Sequence, residues 1–522
     1  MRPPLRACLG WLVAGALLLA PRARAVPNEY LTVGDALEDE LRVLDVLGPG
    51  AAARRIPLQH LFTRPVQKAE LQGVAPPVDS LDPARAITLA RIERALGRDA
   101  DSTFAPDPRH PSTPRAFQHV APGEQRFDGS FAAEGAALTG PGGHSLATGS
   151  GAHVRLGAAI EHWLAYSHVT IGQIAHARDF ADPIVPNNDL IVYTDETYLS
   201  YTADRALWSA QFGRNRWHWG PGEEGSLVLS KTMPAITGLA FRMHIAGLHL
   251  DAIALSATLR QARGDQLAAH RIEWQPHDAL RIGLTEAARY RASGWEPLYV
   301  VGAIPYVLVQ RLQVQDEPDS LGRLRNNIMV SFDAAWRVAP GTRIYGEWLA
   351  DDLHAKTGRI PNKYGYQLGW EGAGAIAATR VTWGGEYTRL TRYVYTSFFG
   401  ADFSAQGQPL GFPTGPDARR VRLRLTWDPN ADWQLLARVS RTDQGENTIA
   451  EPFVPGSPRV DASTFEGIVM HSRDAAAGLR WWPASGVDVT VTGGWQWVEN
   501  LDHVAGRDRS GATGELQVRL VR

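Results

Sequence analysis

The chain has 522 residues, with 53 Lys and Arg against 55 Asp and Glu and a formal net charge of −2. That balance excludes a nucleic-acid-binding role, which needs a clustered positive field. The one cysteine, Cys8, lies in a segment expected to be removed, so disulfide and thiolate chemistry are excluded from the mature chain.

Taken in chain order, residues 1–25 read as a signal peptide. Arg2 and Arg6 form a basic start, Cys8 to Ala20 is apolar, and Ala23-Arg24-Ala25 fits the small-x-small cleavage rule. The mature chain is expected to begin at Val26. The apolar run is too short for a spanning helix, which needs ~20 apolar residues.

Residues 26–100 read as a helical bundle or plug. Leu37, Leu41, Leu44 and Leu47 recur at helical spacing, with Asp35 ahead of them and Gly48-Pro49-Gly50 behind. Asp82-Pro83 opens a second helix, with Ala86, Leu89, Ala90, Ile92 and Leu96 apolar and Gly97 as its stop. A short third helix is expected around Leu58 to Leu61. Helices this short cannot bury their apolar stripes alone, so they need each other or a host surface. Residues 101–123, rich in Pro, Asp and His, read as a linker.

From 124 to 522 the pattern changes to period two. Leu423, Leu425 and Trp427 share one face, and Arg422, Arg424 and Thr426 the other. Ile328, Val330, Phe332, Ala334, Trp336 and Val338 stand opposite Ser331, Asp333 and Arg337. Leu239, Phe241, Met243 and Ile245 stand opposite Arg242 and His244. Alternate side chains of a strand point to opposite faces, so each segment is a ribbon with one apolar and one polar side. Many such ribbons behind a secretion signal point to an all-β transmembrane fold, an outer-membrane antiparallel β-barrel. At roughly 22 residues per strand and connection, the segment holds about 18 strands. Tyr193, Tyr198, Tyr201, Trp208, Trp370, Trp383, Trp427, Trp433, Trp481, Trp482, Trp495 and Trp497 are the expected aromatic girdle residues. The last segment alternates at Leu516, Val518 and Leu520 but closes on Arg522, where many such barrels carry an aromatic residue.

One motif stands out. Gly213-Arg214-Asn215-Arg216-Trp217-His218-Trp219-Gly220-Pro221-Gly222 runs on into Gly225-Ser226-Leu227-Val228-Leu229-Ser230. A second stretch is Pro409-Leu410-Gly411-Phe412-Pro413-Thr414-Gly415-Pro416-Asp417. With the order signal, helices, strands, the chain resembles the Wzi-like capsule assembly proteins of the bacterial outer membrane. The resemblance implies a barrel of about 18 strands with an N-terminal helical bundle. It also implies a lectin-like, non-catalytic role in holding capsular or other exported polysaccharide at the cell surface. The expected partners are that polysaccharide, outer-membrane lipid and the export machinery.

The motif residues suit such a role. Arg214 and Arg216 can pair with uronate carboxylates, and His218 can donate or accept near neutral pH. Trp217 and Trp219 read as girdle or packing residues ahead of flat platforms for sugar rings. If one strand runs through the motif, Arg214, Arg216 and His218 line the lumen and Asn215, Trp217 and Trp219 face the other way. Gly220, Pro221, Gly222 and Gly225 read as turn-formers. Their Gly-x-Gly-x-x-Gly spacing leads into a strand and not a helix, so it is no dinucleotide loop. His162, His168 and His176 are too far apart along the chain for a metal site, and no cofactor is expected. Two other functions stay open: a porin-like channel for oligosaccharides or small solutes, and an outer-membrane glycan-modifying enzyme.

Overall fold

The computed structural model describes residues 29–48, 61–67, 82–96, 117–121, 125–139, 146–173, 191–203, 206–260, 263–316, 326–353, 360–458, 460–484 and 486–521. The signal segment, most of the expected helix around Leu58, His176 and Arg522 lie outside them.

Eighteen antiparallel strands close into a barrel. They are β1 (Gln125–Thr139), β2 (Leu146–Ile160), β3 (Trp163–Gln173), β4 (Ile191–Thr202), β5 (Trp208–Asn215) and β6 (Ile236–Ile245). Then come β7 (Leu250–Arg260), β8 (Asp265–His277), β9 (Leu280–Arg291), β10 (Asn327–Ala339), β11 (Thr342–Asp352) and β12 (Lys363–Ile376). The ring ends with β13 (Thr379–Leu390), β14 (Ala418–Asn430), β15 (Trp433–Gln444), β16 (Met470–Ala484), β17 (Val487–Glu499) and β18 (Arg509–Val521). Each strand pairs with its sequence neighbours, and β18 closes on β1.

The seam is shared. β18 pairs with Ala132–Thr139 of β1. A five-residue strand, Phe117–Ala121, pairs with Gln125–Gly129 on the same edge. Strand pairing thus begins inside the segment read as a linker. It leaves fewer open backbone groups where hydrocarbon offers none in exchange.

The period-two rows take the faces expected of them. Leu423, Leu425 and Trp427 are exposed on the outside, as are Phe332, Trp336, Phe241 and Met243. Ser331, Asp333 and Arg242 are buried on the inside. Trp208, Trp370, Trp383, Trp427, Trp481, Trp495 and Trp497 lie on the outer surface. Tyr198 does not, because it alternates with the exposed Leu199 and turns inward against Tyr30. Trp482 is also lumenal, with the guanidinium groups of Arg91 and Arg480 over its ring at 4.5 and 4.8 Å.

One barrel end carries tight turns, such as Pro340-Gly341 and Ala431-Asp432. The other carries long connections, among them 216–235, 292–326, 391–417 and 445–469. In outer-membrane barrels the short turns are periplasmic and the long loops extracellular. Two helices enter the tight-turn end, α1 (Ala36–Leu47) and α2 (Pro83–Leu96). Asp35 caps α1 by accepting from the Leu37 N–H at 2.8 Å. Leu37, Leu41 and Leu44 pack with Leu61, Phe62, Val66, Leu89 and Ile92. Among the described residues no helix is long and apolar enough to cross a membrane.

Candidate functional site: the filled lumen

The polar face of α1 meets the inner wall through ion pairs. Asp45 accepts from Arg281 at 2.6 and 2.8 Å and also pairs with Arg343. Arg42 pairs with Glu371 at 3.1 Å. Glu40 pairs with Arg380 of the wall and Arg91 of α2. Arg380 and Arg91 then share Asp428, at 2.8 and 2.9 Å. Burial alone would raise the Asp45 carboxyl, but Arg281 and Arg343 outweigh it and hold it at about 2. Such a lattice of buried pairs fixes where the plug sits more than it adds stability.

The first motif meets this plug from the opposite side. β5 stops at Asn215, and the chain then turns into the lumen. His218 and Trp219 form a short strand that pairs with Thr63 and Arg64 of the N-terminal segment. The Gly220 N–H donates to the Phe62 carbonyl at 2.9 Å, and Arg42 donates to the Pro221 carbonyl at 2.8 Å. Gly220 has φ +145°, and a Cβ there would fall 2.7 Å from a Glu347 carboxylate oxygen, so this bend requires glycine.

Beyond the bend, the wall holds the loop by charge. Glu223 pairs with Arg424 at 2.7 Å and Glu224 with Arg420 at 2.8 Å. The Leu227 N–H and the Ser226 hydroxyl donate to Glu347 at 3.1 Å. Gln367 donates to the Gly225 carbonyl at 3.1 Å.

The second motif closes over the first. The Ser230 N–H donates to the Leu410 carbonyl at 2.8 Å. Tyr395 donates its hydroxyl to the Leu227 carbonyl at 2.7 Å and accepts from the Phe412 N–H at 3.1 Å. Trp217, Trp219, Leu227, Leu229, Leu410 and Phe412 belong to one buried apolar cluster. The main hydrophobic core therefore lies inside the barrel, built from the two motifs and the wall behind them.

This placement revises the reading of the motif as one strand. Arg214 shares its face with Trp208 and Phe212, which are 39% and 56% exposed on the outer surface. Arg214 therefore points outward at the extracellular edge and does not line the lumen; its Nε donates to the Thr194 carbonyl at 2.8 Å. Asn215, on the opposite face, is buried inside. Alternation ends there, so nothing carries it on to residues 216–219. Arg216 is half-buried. Trp217 is 4% exposed and His218 and Trp219 are 0% exposed, so Trp217 and Trp219 are packing residues of the core and neither girdle residues nor open sugar platforms. Burial and the nearby cations Arg64, Lys231 and Arg42 push His218 well below its ordinary value. Its Nδ1 accepts from the Lys231 N–H at 3.1 Å, the role of a neutral ring. Gly220, Pro221, Gly222 and Gly225 form the bend itself.

Sequence reasoning missed the partners of the motif: Glu347, Gln367, Tyr395, Arg420 and Arg424. Their alternation marks the wall residues among them as lumenal, but nothing local says which loop they meet. Among the described residues no cluster of three or more His, Cys, Asp or Glu side chains is arranged to hold a metal.

Residues 122–513 match the family model described as capsule assembly protein Wzi. The chain belongs to the Wzi capsule assembly family. Among solved structures, Wzi of Escherichia coli is similar over 95% of this chain and 99% of its own, at 15% identity and a TM-score of 0.60. That protein is described as an outer-membrane, carbohydrate-binding β-barrel involved in group 1 capsule assembly. Pseudomonas aeruginosa OprD covers 76% of the chain and 95% of its own, at 9% identity and a TM-score of 0.42. None of the curated proteins matches the sequence. In this Wzi-family barrel, Trp217, Trp219 and Leu227–Leu229 of the first motif and Leu410 and Phe412 of the second belong to the lumenal core.

Proposed function

We propose that this protein holds an exported polysaccharide at the outer face of the outer membrane, as a lectin-like and non-catalytic barrel. What carries the reading is the use to which both family motifs are put. They build a buried apolar core and ion pairs inside the lumen, which suits a fixed platform better than a passage. The long extracellular connections then supply the surface on which a polymer rests. Membership of the Wzi family and the carbohydrate-binding description of its E. coli relative support the same reading. The partner is a surface polysaccharide brought out by export machinery. Arg214 and Arg216, the two motif candidates that are not fully buried, are its contacts to acidic sugars.

The test is affinity electrophoresis of the purified, detergent-folded protein through gels containing an acidic polysaccharide. The wild type is expected to be retarded. Arg214→Ala with Arg216→Ala is expected to bind about tenfold more weakly or worse, since each hydrogen bond to a charged group contributes about 1.5–3 kcal/mol. Equal binding by the double variant would remove these residues from the site. Free migration of the wild type through every polysaccharide gel would overturn the reading.

A further inference from the structure

The connection between β9 and β10 holds two short helices, α3 (Pro297–Val301) and α4 (Tyr306–Asp316). Strand alternation fixes which side of the wall they cover. Ile253, Leu267, Ala269, Ala287 and Met329 belong to the lumenal core. Their neighbours Ala268 and Ala288 therefore face outward, and these pack with Tyr290, Tyr299, Tyr306 and Val309. The hairpin thus lies on the outer surface of the barrel, against the face that meets lipid.

Beneath it is a polar seat. Glu286 of β9 shares a face with the exposed Leu284 and so points outward, an expensive position for a carboxylate in hydrocarbon. It is covered instead. The N–H groups of Tyr306 and Val307, at the start of α4, donate to its two oxygens at 2.7 and 3.2 Å, where the helix dipole favours a negative charge. His270, its cross-strand partner, lies 3.1 Å away and packs at a tilt against Tyr306 with ring centroids 4.4 Å apart. Tyr290 stacks on Tyr299 at 4.5 Å. Trp295 donates to Thr258, another outward residue, at 3.2 Å. Gly302, at φ +61°, lets the hairpin backbone approach Ala254, since a Cβ there would sit 2.7 Å from that methyl.

The far side of the hairpin is apolar. Val301 is 64% exposed, and Val307, Leu308 and Leu312 are 42%, 49% and 38% exposed. These side chains continue the exposed belt formed by Ile272, Leu284 and Phe332 on the wall beneath. Because the β9–β10 connection lies at the long-loop end, this continuation lies on the outer-leaflet side.

We propose that the α3–α4 hairpin is a lipid-contact element. It inserts its apolar face among outer-leaflet acyl chains while its polar underside clasps Glu286 and His270. It widens the barrel on one side and sets the depth at which the extracellular platform sits. Amphipathic helices that lie in the interface bind in this way, with the apolar face toward the acyl boundary.

The experiment uses the exported protein after removal of the signal segment, and with it of Cys8, reconstituted in lipid nanodiscs and carrying one bimane-labelled cysteine at a time. Leu308→Cys reports on the hairpin, Leu284→Cys on the belt and Val454→Cys on an extracellular loop. Nanodiscs are made with plain or acyl-chain-brominated phospholipid. The label at 308 is expected to be quenched at least threefold more than that at 454, and to approach the quenching at 284. Quenching at 308 equal to that at 454 would overturn the proposal. So would dimeric particles in which the unlabelled Leu308→Cys protein cross-links to its copy and the label at 308 escapes bromine, since the face would then belong to a second chain. Heat-modifiable migration of each labelled protein shows that the barrel is folded in all three.

Discussion

At the scale of single residues, the plug is held by charges that have few alternatives. Asp45 sits between two wall arginines, Arg281 and Arg343, and all three are buried. Removing the carboxylate strips Arg281 of this ion pair and leaves Arg343 to Glu371 alone, and breaking a comparable buried pair costs about 3–5 kcal/mol. Asp45→Ala should therefore speed hydrogen exchange across Ala36–Leu47 by on the order of a hundredfold, and unchanged exchange would show that the pairs do not hold the helix. Because Asp45 is held at about 2 against an ordinary 3.8, its contribution is complete above pH ~4 and is lost as pH falls toward 2. His218 behaves alike in direction but in a milder pH range. Buried neutral and accepting from Lys231, it favours the folded contact fully above its ordinary value of 6.5, and that contact weakens as pH falls below it. Exchange in Trp217–Ser230 should rise between pH 7 and 5 beyond its intrinsic pH dependence. His218→Gln, which keeps an acceptor without the titration, should flatten that rise; an unchanged profile would clear His218 of the effect.

At the scale of elements, the inward loop is latched by Glu223 to Arg424 and Glu224 to Arg420. Glu223→Gln with Glu224→Gln weakens both latches and leaves two half-buried arginines facing the loop. In planar bilayers the wild type should show no steady large conductance, and the double variant should open more often; a large steady wild-type conductance would mean that the lumen is a pore. Which elements could be read from the chain follows from how local their signals are. Rows such as Leu423, Leu425 and Trp427 state both conformation and face within six residues, because lipid and lumen demand opposite polarity on alternate positions. Leu37, Leu41 and Leu44 do the same for α1. The motif at 213–222 was legible as a signature and opaque as a structure. Its alternation stops at Asn215, and its later residues are placed by contacts with residues 61–67 and 391–417 far away in sequence. The α3–α4 hairpin was missed for a related reason. Its apolar residues face a wall on one side and lipid on the other, so no polar stripe marks a helical period.

At the scale of the molecule, the barrel is an outer-membrane shell around its own core. The N-terminal helices enter from the tight-turn end, the two family motifs descend from the long-loop end, and they meet at Phe62, Gly220 and Pro221. Channel barrels keep a water-filled lumen. Here large apolar side chains such as Trp219, Phe403 and Phe412 sit inside it with no exposed surface, and the proposed ligand surface is the extracellular face. The measurement that tests this account most directly compares cells with and without the gene for total, cell-bound and released polysaccharide. The account predicts the same total amount and the same chain length and acylation, with most of the polymer moved from the cell surface into the medium, and its return when the wild-type gene is restored. Polymer that stays on the deleted cells in its normal amount, or that is retained but altered in length or acylation, would contradict it.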